Sequence, residues 1–169
     1  MERLIIFSDV HKQKNRLEAI LKEHMDATLF ISLGDTELKS SFLEQHDIIA
    51  IKGNYPFDAG FTYEHEMTIE NKKFLFVHGH KYGIRHGIEK LYERMLESNI
   101  DFAFYGHTHV AAFDTVENRY LINPGAVYKS RSEINDSYIV FEIDKDHIEI
   151  KWLDAINHTL IEHKEFTLK

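Results

Sequence analysis

Short apolar runs that end directly in a metal-binding side chain are the feature that most constrains the fold of this sequence. Five such runs occur, and a carboxylate, an amide or an imidazole follows each one. The residues at these positions are Asp9 and His11 after LIIFS, Asp35 after FISLG, Asn54 after IAIKG, His78 and His80 after FLFV, and His107 and His109 after FAFYG. The carboxyl ends of the strands in an open α/β sheet form the crevice where ligands bind. We therefore predict that these side chains converge on one rim.

The spacing of apolar residues predicts alternating strands and helices in the first third of the chain. The predicted elements are a strand over 3–8, a helix over 15–25 with Leu17, Ile20, Leu21 and Met25 at helical spacing, a strand over 28–33, a short polar helical stretch over 42–44, and a strand over 47–51. This alternation is typical of a βαβαβ unit with a parallel sheet.

Later in the chain the pattern indicates a second sheet. The predicted elements are a hairpin of strands over 63–69 and 73–77 around Glu70-Asn71-Lys72, an amphipathic helix carrying Ile88, Leu91, Tyr92, Met95 and Leu96, and a buried strand over 102–105. From Val110 onward the segments are mainly antiparallel in pattern, with turns near 117–118 and 144–146. No repeat, low-complexity tract or linker interrupts the sequence, so we predict one domain over residues 1–169.

The side-chain types at the predicted rim indicate more than one metal ion. Carboxylate, amide oxygen and imidazole suit divalent ions such as Mn, Fe or Zn, and a carboxylate can bridge two of them. Seven such groups are too many for one ion, namely Asp9, His11, Asp35, Asn54, His78, His107 and His109. The absence of cysteine excludes thiolate ligands and disulfides. Glycines next to the predicted ligands allow the chain to turn sharply there. These glycines are Gly34, Gly53, Gly79 and Gly106.

Charge and hydropathy argue against several other function classes. The formal net charge of -8 disfavours a nucleic-acid footprint, because such binding relies on Lys and Arg along the phosphates. A small anionic substrate fits if bound metal supplies positive charge. No window reaches the roughly 18 apolar residues of a membrane span, and the N-terminus is unlike a signal peptide, so we expect a soluble cytoplasmic protein. Six further histidines are expected to be ordinary surface or half-buried residues: His24, His46, His65, His147, His158 and His163.

The order and spacing of five motifs resemble the calcineurin-like metallophosphoesterase superfamily. The motifs are Asp9-Val10-His11, Gly34-Asp35, Gly53-Asn54, His78-Gly79-His80 and Gly106-His107-Thr108-His109. The short chain, the brief HGH motif and Asn123-Pro124-Gly125-Ala126 are similar to the small bacterial and archaeal phosphodiesterase branch. The resemblance covers nearly the whole chain and implies an α/β fold, a four-layer αββα sandwich with two mixed β-sheets.

The resemblance also implies roles for the candidate ligands. A first metal would be held by Asp9, His11 and His109, and a second by Asn54, His78 and His107, with Asp35 bridging both. The implied cofactors are two divalent ions, manganese foremost, with Fe, Zn, Ni or Co as alternatives. The implied activity is hydrolysis of a small phosphate ester, foremost a phosphodiester, by in-line attack of a metal-bridging hydroxide.

One position departs from the family pattern. Many members carry a histidine directly after Gly-Asn as a candidate acid, whereas this chain has Tyr55. We hypothesise good turnover of activated aryl phosphodiesters, which need less acid catalysis, with Asn54 and His80 as catalytic residues and His80 as the substitute acid. The alternative for His80 is that it only lines the second metal site. Four further residues could contact a phosphate but are more often solvated at the surface, and they lie outside the predicted site: Lys81, Tyr82, Arg85 and Arg131.

Two other function classes compete with the hydrolase. A non-catalytic scaffold similar to the retromer subunit shares the implied fold, but it would not need seven competent ligands at strand ends. A metallo-β-lactamase-type enzyme would need an HxHxDH cluster, which the sequence lacks. The substrate stays open among cyclic dinucleotides, nucleotides and phospholipid fragments, and a homo-oligomer is an open expectation from the resemblance.

Overall fold

The computed structural model describes residues 1–56 and 60–169, which form two β-sheets with helices on their outer faces. The helices are α1 (Lys14–Glu23), α2 (Ser40–Gln45) and α3 (Glu89–Glu97), with single 3-10 turns at His80–Tyr82 and Ile84–His86. The strands are β1 (Glu2–Phe7), β2 (Leu29–Ser32), β3 (Ile48–Ala50), β4 (Glu64–Ile69), β5 (Lys72–Val77), β6 (Phe102–Phe104), β7 (Ala112–Val116), β8 (Arg119–Asn123), β9 (Ser137–Asp144), β10 (His147–Asp154) and β11 (Leu160–Thr167). None of the described helices is long and apolar enough to cross a membrane.

Both sheets mix parallel and antiparallel pairs. The first sheet has the order β11-β10-β9-β1-β2-β3, in which β1, β2 and β3 are parallel and the remaining pairs are antiparallel. The second sheet has the order β4-β5-β6-β8-β7, in which β5, β6 and β8 are parallel and the edge strands are antiparallel. The predicted pair of mixed sheets is therefore confirmed.

The layers follow from the alternation of side chains along buried strands. In β1, Leu4 and Ile6 face the core between the sheets, whereas Ile5 and Phe7 face α1 and α2. Phenylalanines of β5 and β6 fill the same inter-sheet core, and Phe141 of β9 meets them edge-on. The outer face of the second sheet packs on α3. The four layers are thus α, β, β, α, as the resemblance implied.

Two of the differences between predicted and observed element bounds have local reasons. Helix α1 ends at Glu23, so Met25 lies beyond it and is 84% exposed instead of packing on the apolar face. The hairpin between β4 and β5 turns over two residues, Glu70 and Asn71, with φ of 48° and 62°. This left-handed pair matches the twist of the strands, and Lys72 consequently starts β5.

Another difference concerns His24, which was expected to be an ordinary surface or half-buried residue. His24 is buried, with Nε2 2.8 Å from the hydroxyl of Tyr138, and Nδ1 of His158 lies 3.0 Å from the same hydroxyl. The two histidines are far apart along the chain, since one follows α1 and the other follows β10. Their shared contact depends on sheet order and therefore has no signal in local sequence spacing.

The fold brings the loops after β1, β2, β5 and β6 to one edge of the sandwich. Backbone hydrogen bonds join neighbouring loops, from Asp9 N to Gly34 O at 3.1 Å and from Gly106 N to His78 O at 2.9 Å. Several non-glycine residues there have a left-handed backbone, which costs free energy and is concentrated at functional sites. These residues are Asp9, His11, Asp35, His107 and His109.

Candidate metal centre

The first group of clustered ligand atoms combines one carboxylate with two imidazoles. Oδ1 of Asp9 lies 3.4 Å from Nε2 of His11 and 3.2 Å from Nε2 of His109. The two Nε2 atoms are 3.2 Å apart. These three residues come from the loops after β1 and β6, so the group spans the two sheets.

The second group combines an amide oxygen with two imidazoles. Oδ1 of Asn54 lies 2.9 Å from Nε2 of His78 and 3.1 Å from Nδ1 of His107, and those two nitrogens are 3.2 Å apart. Oδ2 of Asp35 is 3.4 Å from the same Nε2 of His78. The structure therefore brings together all seven residues that the sequence predicted as ligands.

Asp9 lies between the two groups. Its Oδ1 is also 4.0 Å from Nε2 of His78, so this atom faces histidines of both groups. Its Oδ2 accepts hydrogen bonds from the Ser8 hydroxyl at 2.7 Å and from the backbone N–H of His107 at 3.1 Å. Oδ1 is buried and has no hydrogen-bond partner among the described residues. The bridging role of Asp35 stays a prediction.

The ligand atoms fit bound divalent cations. Metal–ligand bonds of about 2.0–2.2 Å place neighbouring ligand atoms about 2.8–3.6 Å apart in octahedral or tetrahedral geometry. The separations within both groups lie in or close to that range, from 2.9 to 3.4 Å. A buried carboxylate oxygen without a donor is costly unless a cation faces it. Oδ1 of Asp9 meets this condition.

Hydrogen bonds on the far side of each ring orient the ligand nitrogen. Nδ1 of His78 donates to the Leu33 carbonyl at 2.8 Å, and Nδ1 of His109 donates to the Lys129 carbonyl at 2.9 Å. Nδ1 of His11 lies 3.3 Å from a carboxylate oxygen of Glu37. Each contact fixes the proton on Nδ1 and leaves Nε2 as the metal-binding atom.

Charges within the centre keep its carboxylates ionised. Burial acts to raise the pKa of Asp9, but the close imidazoles of His109 and His11 and the charge of His78 outweigh it, so the pKa lies far below its ordinary value. Burial also acts to raise the pKa of Asp35, but that pKa is lowered overall, chiefly by the hydrogen bond from His78. Burial acts to lower the pKa of His78, but the hydrogen bond to Asp35 and the two carboxylate charges raise it overall.

His80 lies beside the second group and not within it. Its ring centroid is 5.4 Å from that of His78 and 6.0 Å from that of His107. Burial, together with the nearby charge of His78, lowers the pKa of His80 below its ordinary value. Nδ1 of His80 is buried and has no hydrogen-bond partner in the described part of the chain. The ring lines a separate small cavity with Tyr63, Lys81 and Tyr82.

A cavity of about 410 Å³ opens above the clustered ligands. Its wall includes residues outside the site predicted from the sequence, namely Glu37, Arg85, Tyr128, Lys129 and Arg131. Glu37 follows Asp35 by two positions, and this second carboxylate in Gly-Asp-Thr-Glu was the one local signal that could have indicated it. The others come from loops whose approach to the centre depends on the fold. Tyr55, at the position of the family histidine, donates its backbone N–H to Asp35 at 3.0 Å.

Comparison with known families decides the class of this centre. The family model described as the calcineurin-like phosphoesterase superfamily domain matches residues 2–146, which include all seven clustered residues. The chain belongs to the calcineurin-like phosphoesterase superfamily. Membership in this superfamily supports a metal-dependent phosphoesterase, a hydrolase with a small-molecule substrate. The clustered ligand atoms support divalent metal binding.

Individual relatives extend the family match over nearly the whole chain. The probable metallophosphoesterase YsnB of Bacillus subtilis is 30% identical over 158 residues, which are 93% of this chain and 94% of that protein. A conserved Streptococcus pneumoniae protein described as a predicted phosphoesterase is 25% identical, with a TM-score of 0.89 over 98% of this chain and 97% of its own. A Vps29 mutant of Entamoeba histolytica is 19% identical, with a TM-score of 0.79 over 98% and 99% of the two chains, and this likeness shows the fold alone.

Proposed function

We propose that the chain is a dinuclear metal-dependent phosphodiesterase that hydrolyses a small phosphate ester. The observation that carries this proposal is the convergence of seven ligand groups around Oδ1 of Asp9, which is buried without a donor among the described residues. Asp9, His11 and His109 would hold one divalent ion. Asn54, His78 and His107 would hold another, with Asp35 as the shared ligand. Manganese is the proposed ion, and the oxygen and nitrogen donor set suits it.

The protein's own residues would set the geometry of the reaction. Bound divalent ions would activate water and neutralise charge on the phosphoryl oxygens. Leu33, Lys129 and Glu37 hold the imidazoles of His78, His109 and His11 with Nε2 directed inward. The backbone N–H of Tyr55 and the hydroxyl of Ser8 fix the two carboxylates. This preorganisation places the reacting groups without reorganisation during the reaction.

The direct test compares metal content and hydrolysis in matched aspartate variants. Manganese-loaded wild type should hydrolyse bis(p-nitrophenyl) phosphate and contain two ions per chain by elemental analysis. Asp35→Asn should lose more than about 100-fold in kcat/KM, because residues that merely orient metal ligands already contribute about 10–100-fold. The control, Asp144→Asn, removes an exposed carboxylate that pairs with the N-terminus and should behave as wild type. A fully active Asp35→Asn protein would refute the proposed centre.

His80 is proposed as the acid that protonates poor leaving groups. Its lowered pKa means that the protonated form decreases as the pH rises through a value below the ordinary 6.5. For an alkyl phosphodiester, kcat/KM should therefore already be falling as the pH rises toward 6.5, and His80→Gln should remove this decline. Hydrolysis of the activated aryl diester should change less than about threefold in the same variant, because a weakly basic leaving group needs little protonation. An unchanged alkyl-ester profile in His80→Gln would leave His80 as a wall of the second site only.

The scaffold alternative has weaker support. The likeness to Vps29 carries the fold and no activity. A scaffold needs exposed surface, whereas this chain keeps Asp9, Asp35 and His78 buried and mutually oriented. Burying such groups is costly without a bound ion, so the hydrolase is the function that the site supports best.

A further inference from the structure

Two arginines lie between the cavity above the candidate metal centre and a neighbouring cavity. Arg85 and Arg131 line both the cavity of about 410 Å³ above the clustered ligands and a second cavity of about 340 Å³. The rest of the described wall of the second cavity is mainly apolar or aromatic: Ile84, Tyr105, Thr108, Val110 and Ala112. A ligand that occupies both cavities must therefore pass the two guanidinium groups.

Both arginines are close to the loop that carries two of the predicted ligands. The backbone N–H of Arg131 donates to the carbonyl of His109 at 2.8 Å. Arg85 and His107 line the same cavity of about 410 Å³. Arg85 comes from the 3-10 turn Ile84–His86, so the two arginines reach this loop from different parts of the fold.

Neither guanidinium holds other described residues of the fold in place. Among residues 1–56 and 60–169, the side chains of Arg85 and Arg131 make no hydrogen bond or ion pair. The other four arginines are all engaged with protein carboxylates or carbonyls: Arg3 with Glu142, Arg16 with Asp136, Arg94 with Glu64 and Arg119 with Ile100. Arginine cations without a described partner repel the divalent ions of a neighbouring metal centre. An anion that binds between the arginines and the centre relieves this repulsion. This placement in a chain of net charge -8 indicates a ligand-binding role.

We propose that Arg85 and Arg131 bind a second anionic group of the substrate, so that the substrate is a phosphate ester whose ester substituent carries its own oxyanion. This inference rests on the proposed function. Two bound divalent ions would outweigh the charges of Asp9 and Asp35 and would neutralise a phosphodiester monoanion, so the arginines would supply charge for a further group. Guanidinium matches the paired oxygens of carboxylate and phosphate. The apolar wall of the second cavity would contact the carbon part of the same substituent.

The test uses substrates that differ only in the second charge. Manganese-loaded protein would be assayed with p-nitrophenyl phosphodiesters of 3-hydroxypropanoate, of its methyl ester, and of the analogue with phosphate in place of carboxylate. Wild type should favour one or both charged esters over the neutral ester by at least about tenfold in kcat/KM, since hydrogen bonds to charged groups are the stronger ones. Preference for one charged ester identifies the oxyanion.

Matched variants assign the preference to the two arginines. Arg85→Gln/Arg131→Gln should bring the ratio of charged to neutral ester close to one, while the rate on the neutral ester changes less than about threefold. Lys90→Gln removes an exposed cation from α3 and should keep the wild-type ratio. In calorimetric titrations, metal-loaded wild type should bind 3-phosphonopropionate more tightly than propylphosphonate, and the double variant should bind the two alike.

The inference and the proposed function fail in different ways. The inference would be overturned if wild type hydrolysed all esters without charge preference, or if the double variant kept the wild-type ratio. Either result would leave the proposed function intact. Equal losses on charged and neutral esters would also overturn it, because the arginines would then hold the reacting phosphate. A wild-type protein that hydrolyses no ester and binds neither phosphonate would overturn the proposed function, and the inference would fall with it.

Discussion

Single side chains outside the predicted ligand set control how the ligands are presented. Glu37 is the clearest case, because its carboxylate lies 3.3 Å from Nδ1 of His11 and it also lines the cavity above the centre. A carboxylate at this position keeps the proton on Nδ1 and increases the basicity of Nε2. Its left-handed backbone, with φ of 55°, continues the strained segment that begins at Asp35. Glu37 therefore acts as a positioning residue for His11.

Glu37→Ala should weaken metal binding more than it weakens folding. We expect about 10–100-fold lower affinity for manganese and a similar loss of kcat/KM at limiting metal, since residues that orient metal ligands contribute that much. Glu37→Gln keeps an acceptor for Nδ1 of His11 and should recover part of the affinity, and excess metal should restore activity in both variants. Metal titrations followed by calorimetry give the affinity, with the exposed Glu44 changed to Ala as the control. Wild-type manganese affinity in Glu37→Ala would rule out this positioning role.

At the scale of elements, the segment after β8 holds the ligand-bearing loop in place. The buried side chain of Asn123 donates to the carbonyl of Gly106 at 3.2 Å and to the hydroxyl of Thr108 at 3.0 Å. Its side-chain oxygen accepts from the backbone N–H of Gly125 at 2.9 Å, and its backbone carbonyl accepts from the indole of Trp152 at 3.0 Å. The Asn-Pro-Gly-Ala motif of the resemblance thus has a structural explanation, since it connects β10 to the loop after β6.

A methyl group added to Gly53 should disrupt the centre through Asp35. A Cβ at Gly53 would lie 2.0 Å from Oδ1 of Asp35 and 2.8 Å from its backbone nitrogen, so the carboxylate must move. We expect Gly53→Ala to lose more than about 100-fold in activity on an aryl diester, because displacing a reacting or orienting group by about 1 Å costs about that much. The assay would be run with a metal titration on the same protein.

Gly83→Ala is the matched control for that substitution. Gly83 has φ of 57°, and a Cβ added there would have no atom within 4 Å among the described residues, so alanine is strained without contacting Asp35. The substitution should lower the free energy of unfolding by about 1 kcal/mol, the cost of a left-handed non-glycine residue, and retain activity. Equal activity losses in Gly53→Ala and Gly83→Ala would show that general strain, and not displacement of Asp35, is responsible.

The sequence predicts features that are encoded in local residue patterns, whereas contacts that depend on sheet order and loop paths have no such local signal. Runs such as LIIFS predict a strand, because a strand buried on both faces is apolar throughout and does not alternate apolar with polar residues. They also predict a ligand at the strand's carboxyl end, because that end lies at the rim where ligands bind. The antiparallel pairing of β1 with β9 joins Leu4 to Phe141, and no local signal encodes it. The meeting of Arg85 and Arg131 at one cavity depends likewise on sheet order and loop paths. Met25 fails as a core prediction because helix α1 ends before it.

For the whole molecule, the metal centre joins the two sheets. Asp9 and Asp35 follow strands of the first sheet, whereas His78 and His107 follow strands of the second. Oδ1 of Asp9 is buried without a donor among the described residues, and an unsatisfied buried polar atom costs about 1–3 kcal/mol. Divalent ions would remove this cost and link the sheets, so metal binding and global stability are coupled.

This coupling predicts opposite effects of pH on the metal-free and metal-loaded proteins. The pKa of His11 is raised above 6.5, chiefly by Asp9, and the pKa of His78 is raised by its carboxylate neighbours although burial opposes them. At His11 and His78 the folded protein therefore binds more protons than the unfolded chain above pH 6.5. The lowered pKa values of His80 and His107 act in the opposite direction, but only where unfolded histidine still holds a proton. The extra stability from His11 and His78 is complete below that pH and is lost as the pH rises through the folded pKa values.

Manganese should reverse this trend, because only deprotonated imidazoles bind the ion and its affinity rises with pH. In urea unfolding between about pH 7 and 8.5, the free energy of unfolding should fall with a chelator present. At a fixed manganese concentration of about 100 times the Kd at pH 7, the free energy of unfolding should exceed the metal-free value by about 2.7 kcal/mol at that pH. This difference should widen as the pH rises, because the Kd falls. Asp9→Asn removes the carboxylate that acts on both histidines, so it should flatten the metal-free slope and abolish the gain from manganese. A metal-free protein that becomes more stable over this pH range would contradict the assigned pairing of Asp9 and Asp35 with the two histidines.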